Sequence, residues 1–146
     1  MSHAMGIGRL EFIALVLLVP SLTACEQVRR AKECRRLSKL VNPALQSIDM
    51  ERTKYDDAPA YGRIAGTYQA LATELAGQRY KSKRLGDAVA EYAKLLGEAS
   101  TDARSYAEAL ATKDAGKTAL ARAAAGRTTK RENAALLRIE GACVAR

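Results

Sequence analysis

Three cysteines, at positions 25, 34 and 143, are the side chains of this 146-residue chain best equipped for covalent chemistry. A thiol can act as a nucleophile, take an acyl group, bind zinc or pair with a second thiol, and its neighbours decide which. The usual catalytic helpers are scarce. The single histidine, His3, sits at the extreme amino terminus, so the rest of the chain has no imidazole for base catalysis or metal binding. Cys34 and Cys143 lack the closely spaced partner cysteines of a structural zinc site, and no metal is expected. Ala115-Gly116-Lys117-Thr118 resembles the end of a phosphate-binding loop, but that motif needs a glycine where Ala111 stands and a strand before it. The adjacent acids Asp56 and Asp57, just before Pro59, read as helix-capping groups rather than a catalytic pair. No catalytic residue and no cofactor is expected, and the chain does not read as an enzyme.

The surroundings of Cys25 are more telling. An apolar run from Phe12 to Val19 follows Arg9 and leaves through Pro20 and Ser21 into Leu22-Thr23-Ala24-Cys25. The run is shorter than the ~20 apolar residues a transmembrane helix needs. With its basic lead and small-residue exit it reads as a secretory signal peptide, although Glu11 leaves only Arg9 and the amino terminus to carry the leading positive charge. The segment Leu22-Thr23-Ala24-Cys25 resembles the lipobox of bacterial lipoprotein precursors. That resemblance implies acylation of the Cys25 sulfur with chains of the palmitate kind, cleavage before Cys25, and acylation of the new amino terminus. Residues 1–24 would then be a removed signal peptide and 25–146 a single mature domain. Several acyl chains together hold a protein firmly at a bilayer. Because Glu26, and not an aspartate, follows the cysteine, the same resemblance implies the periplasmic face of the outer membrane in preference to the inner membrane.

With Cys25 assigned to lipidation, two cysteines remain in a chain expected to be exported into an oxidising compartment, where a disulfide is natural. Whether they can meet depends on the layout of the helices. Helical spacing runs through the mature chain. Val28, Ala31, Cys34, Leu37, Val41, Leu45 and Ile48 share a face of the first helix, which Asn42-Pro43 either kinks or breaks. Asp56-Asp57 and Pro59 start a second helix, with Tyr61, Ile64, Ala65, Tyr68, Leu71, Ala72 and Leu75 in register. Ser82 opens a third, carrying Leu85, Val89, Tyr92, Leu96, Ala99, Ala103, Tyr106 and Leu110. A fourth runs from about Asp114 to Cys143 through Leu120, Ala124, Ala135, Leu136 and Ile139, with its weakest pattern, and a bend or frayed stretch, expected between Gly126 and Arg131. Short connections make successive helices antiparallel neighbours. At ~1.5 Å per residue, Cys34, Tyr80 and Cys143 then fall at nearly one height, and a Cys34–Cys143 disulfide fits an up-down-up-down bundle.

The same layout sorts the charge. The chain carries 24 Lys and Arg against 16 Asp and Glu, a formal net charge of +8. At the level of Cys34 and Cys143 it gathers Arg29, Arg30, Lys32, Arg35, Arg36, Arg79, Lys81, Lys83 and Arg84, with Arg138 and Arg146 beside them. The acids at that end are Glu26, Glu33 and Glu140, whereas the first turn holds Asp49, Glu51, Asp56 and Asp57. This basic collar lies at the Cys25 end, where anionic headgroups or an anionic cell-wall polymer would meet it.

The composition agrees with an all-α fold. Alanine dominates, tryptophan is absent and phenylalanine occurs once, so large core side chains are chiefly leucines and the six tyrosines. Tyr61, Tyr68, Tyr92 and Tyr106 fall on core stripes and Tyr55 and Tyr80 near turns. Leu95 beside Leu96 and Leu136 beside Leu137 point to apolar side chains on more than one face, as self-association would need. The expected molecule is an envelope lipoprotein: a helical bundle of about four helices, tethered to a membrane through Cys25, serving as a non-catalytic interaction or structural module. Its expected partners are the anionic leaflet, another envelope protein or cell-wall polymer, not nucleic acid. The alternative is a bundle that binds a small molecule or peptide in a tyrosine-lined groove.

Overall fold

A computed structural model describes the backbone from residue 10 to residue 144 and the side chains from residue 24 to residue 144. The apolar run Phe12 to Val19, with Leu22 and Thr23 of the segment expected to be a lipobox, and Arg146 lie outside the residues whose side chains are described. Four helices follow one another: α1 (Leu10–Lys54), α2 (Ala58–Ala76), α3 (Lys83–Thr112) and α4 (Ala115–Val144). They pack as the expected antiparallel up-down bundle, with α3 most extensively against α2, then against α4, and α1 against α2.

Local chemistry sets the helix ends. Asp57 is extended at φ −133°, and its side chain accepts the Ala60 N–H at 2.8 Å, with Pro59 in the first turn where its missing N–H costs nothing. The Ser82 hydroxyl accepts the Leu85 N–H at 3.4 Å to open α3, and Asp114 accepts the Lys117 N–H at 2.9 Å to open α4. α3 ends at Lys113, in the left-handed region at φ 55°, where the chain turns sharply into α4.

The core runs along α3. Leu85, Val89, Tyr92 and Leu96 are essentially inaccessible, and they pack with Ile64, Leu71 and Leu75 of α2, Leu37, Val41 and Ile48 of α1, and Ala135, Ile139 and Ala142 of α4. Small residues let α2 and α3 approach closely, so that the buried Ser100 hydroxyl donates to the Ala65 carbonyl at 2.8 Å. Leu95 and Leu96 are both buried, contrary to the expectation of an exposed leucine there. α3 lies between α2 and α4, so it buries a wide arc. Leu137, by contrast, is exposed.

α1 is unbroken through Pro43, which overturns the option of a break. The proline removes the bond to the Lys39 carbonyl, but Val41 before it and Ile48 after it are both buried, which holds the helix together across the gap. Val28 and Ala31, expected on the buried face, are exposed because the described parts of the other helices end near the level of Cys34. α4 is likewise continuous through Gly126 to Arg131. Its inward positions there are the polar Thr128 and Glu132, which explains the weak apolar pattern. The Thr128 hydroxyl donates to Asp102 at 2.5 Å and the Tyr92 hydroxyl to Glu132 at 3.3 Å. Burial holds the Glu132 carboxyl above the ordinary carboxylate value, against the opposing pull of the Tyr92 bond and of Arg52.

α1 barely packs on α4, and the two are joined by the Cys34–Cys143 disulfide, with Cα atoms 6.0 Å apart. It spans 109 positions of sequence. Closing so long a loop stabilises by about 5 kcal/mol in the chain-entropy model. The double substitution Cys34→Ser, Cys143→Ser should therefore lower unfolding stability by about that amount in urea titrations while leaving most helical circular dichroism intact. A loss within error of zero would show that the bond is idle. Glu132 gives a second expectation. Its native carboxyl binds a proton more readily than the unfolded one, so its contribution to stability is greatest below the unfolded value of 4.5 and falls as pH rises towards the raised native value. Urea titrations across that range should show this decline in the native sequence and a flatter profile in Glu132→Gln; identical slopes would contradict the buried-carboxyl account.

Candidate functional site

Two ends of the bundle carry concentrated chemistry. At the first, the expected meeting of α1, the α2–α3 turn and the end of α4 is realised by the disulfide and by polar bonds. Glu33 accepts the Lys81 backbone N–H at 2.7 Å. Arg36 donates to the Arg79 carbonyl at 3.0 Å and lies over the Tyr80 ring at 5.5 Å. The collar residues of α1 and of the α2–α3 turn thus share one pole.

Not all of that charge is equally available. Arg30 pairs with Glu26 at 3.3 Å and Lys83 with Asp87 at 2.5 Å, while Arg138 is held by Glu91. Arg29, Lys32, Arg35, Arg79, Lys81 and Arg84 are exposed and have no carboxylate in ion-pair range among the described residues. Exposed pairs of this kind contribute little to stability, so the pole is built for its field more than for cohesion. Beyond it, α1 continues in the amino-terminal direction as a single helix, and Ala24 to Arg29 are exposed. Cys25 is a free, exposed thiol nine residues before Cys34, so it stands about 14 Å beyond the disulfide along the helix. Among the described residues no helix is long and apolar enough to cross a membrane.

The other pole holds the turns after α1 and α3. It is less acidic than the sequence suggested, because Arg52, Arg63 and Arg122 join Asp49, Glu51, Asp56 and Asp57. Glu51 is engaged by Arg63 at 2.7 Å, a contact that lowers the Glu51 pKa and raises that of Arg63. Here a cleft of about 480 Å³ opens between α1, α2, α3 and α4, lined by Tyr61, Tyr68 and Tyr106 among others. Tyr61 and Tyr106 meet edge to face with centroids 4.4 Å apart. Arg52 donates to the Tyr68 hydroxyl at 3.3 Å and Arg122 to that of Tyr106 at 2.8 Å. Burial raises the pKa of Tyr61 and of Tyr68, so both hydroxyls remain protonated donors.

The other tyrosines stand elsewhere. Tyr92 is sealed in the core, Tyr55 is exposed under Lys54 and Arg63, and Tyr80 is half-buried beneath Arg36. Tyrosine periodicity indicated core positions, whereas the convergence of three of them with Arg52 and Arg122 had no local signal, because each arginine reaches its tyrosine from another helix. Among the described residues no cluster of three or more metal-binding side chains occurs. Comparison with family models, with curated proteins and with solved structures returned no match, so the function must be read from this geometry alone.

Proposed function

We propose that the chain is the precursor of an envelope lipoprotein whose mature bundle, tethered by acylated Cys25, stands against an anionic leaflet as a non-catalytic interaction module. The observation that carries this reading is the placement of Cys25. It lies on the same continuous helix as the collar, beyond the end of the packed bundle, with Arg29, Lys32 and Arg35 between it and the rest of the fold. Acyl chains leaving from Cys25 would enter a bilayer while those cations reach its headgroups. Hydrogen bonds from Glu33 and Arg36 to the backbone of the α2–α3 turn hold that turn against α1, adding Arg79 and Lys81, and Arg84 at the start of α3, to the ring. By the resemblance of Leu22 to Cys25 to a lipobox, with Glu26 following, the membrane is the outer one and the compartment the periplasm.

Anionic headgroups attract each nearby basic residue by up to ~1 kcal/mol, and salt weakens the attraction. Protein prepared without acyl chains should therefore co-sediment with phosphatidylglycerol vesicles at low salt, release on adding salt, and ignore pure phosphatidylcholine. The triple substitution Arg29→Gln, Lys32→Gln, Arg35→Gln should weaken that binding by up to roughly 100-fold. Equal binding to both vesicle types, or no effect of the triple change, would discard the collar.

A further inference from the structure

The cleft at the pole remote from Cys25 plays no part in membrane attachment, yet it has the make-up of a ligand site. Its volume, about 480 Å³, lies within the range of small-molecule cavities. The edge-to-face pair Tyr61 and Tyr106 forms an aromatic wall, and Ile64, Ala99 and Ala103 add an apolar lining. α4 lines the cleft with Arg122, Ala125, Gly126, Thr128 and Thr129, and none of these is a large apolar side chain that would fill it as core.

Polar groups from several helices line the same cleft. Arg52 and Arg122 reach in from α1 and α4, and each is bonded to a neutral phenol, with no carboxylate in ion-pair range among the described residues. A guanidinium carries five N–H donors in a planar fork, so most of the donors on both arginines remain free for an acceptor. Burial, Tyr106 and Asp56 hold the Tyr61 hydroxyl protonated against the weaker opposing pull of Arg52 and Arg122, and that hydroxyl has no hydrogen-bond partner of its own among the described residues. A carboxylate matches two such forks and a phenol donor. Two acids limit what else can enter. Asp102 takes the Thr128 hydroxyl and Asp56 stands at the mouth, and both oppose a polyanion such as a nucleotide.

We propose that this cleft binds a small organic monoanion, a single carboxylate on a flat apolar body, between Arg52 and Arg122 with its apolar part against Tyr61 and Tyr106. The proposal is independent of the tether, since it rests on the opposite pole.

Calorimetric titration of the disulfide-bonded protein with three isosteric probes tests it: 2-naphthoate, neutral 2-naphthamide and cationic 2-naphthylmethylammonium. Naphthoate should bind at least about ten-fold tighter than the amide, and the cation weakest, because hydrogen bonds to charged groups exceed neutral ones by that margin. Ring signals of Tyr61 and Tyr106 in NMR should shift with naphthoate. Arg52→Gln and Arg122→Gln should each erase most of the preference for naphthoate over the amide, whereas Arg63→Gln, outside the cleft and paired with Glu51, should leave it intact. The proposal is overturned by amide binding as tight as naphthoate, by a preference for the cation, by signals shifting away from these tyrosines, or by no binding of any probe at millimolar concentration. The comparison of probes on the native sequence decides the matter even where a variant folds poorly.

Discussion

The bond between Cys34 and Cys143 does at one pole what side-chain packing does in the rest of the bundle. α2 and α3 bury a continuous set of leucines, tyrosines and alanines, and α4 adds its own face to α3. α1 is different. It packs on α2 but meets α4 only slightly, and the covalent link is what joins it firmly to α4. Because the link sits nine residues after Cys25, it also fixes where a chain attached at Cys25 leaves the fold. The basic residues of α1 and of the α2–α3 turn are brought to one level by the bonds of Glu33 and Arg36 to the turn's backbone.

Alanine gives the fold both its closeness and its gap. Small side chains allow α2 and α3 to approach until Ser100 bonds to the Ala65 backbone, which compensates in packing for the little apolar surface each alanine buries. The same economy leaves space wherever two helices diverge. Near the α3–α4 turn α4 lines the cleft with Arg122, Ala125, Gly126, Thr128 and Thr129 instead of large apolar side chains, and the hydroxyls of Tyr68 and Tyr106 accept from arginines instead of meeting a packed core. The two poles therefore differ in kind: one is closed covalently and ringed by exposed cations, the other is open and lined with aromatic rings.

What the sequence revealed follows from how local each signal is. Asp57, Ser82 and Asp114 cap helices through bonds to residues three positions on, so the starts of α2, α3 and α4 were legible. The disulfide was legible because antiparallel helices of known lengths return the chain to a common height. Pro43 was ambiguous, since its effect depends on whether burial on both sides outweighs one lost bond, and that is a tertiary matter. Leu95 was misread because spacing alone does not say which helix lies in the middle and buries a wide arc. The inward face of α4 was obscured by Thr128 and Glu132, polar residues whose partners Asp102 and Tyr92 lie on α3. The cleft was only half visible: tyrosine stripes announced the rings, but their meeting with Arg52 and Arg122 is a property of four helices together.

Tethering as proposed requires an acylated, processed Cys25 at the end of the disulfide-closed bundle. Intact and non-reducing peptide mass spectrometry of the protein isolated from its native cells tests that most directly. The expected product begins at Cys25, carries acyl chains on it, and yields one linked peptide pair joining Cys34 to Cys143. A product that begins at Met1 or Met5 with an unmodified Cys25 would contradict the tethered reading, whatever the state of the other two thiols.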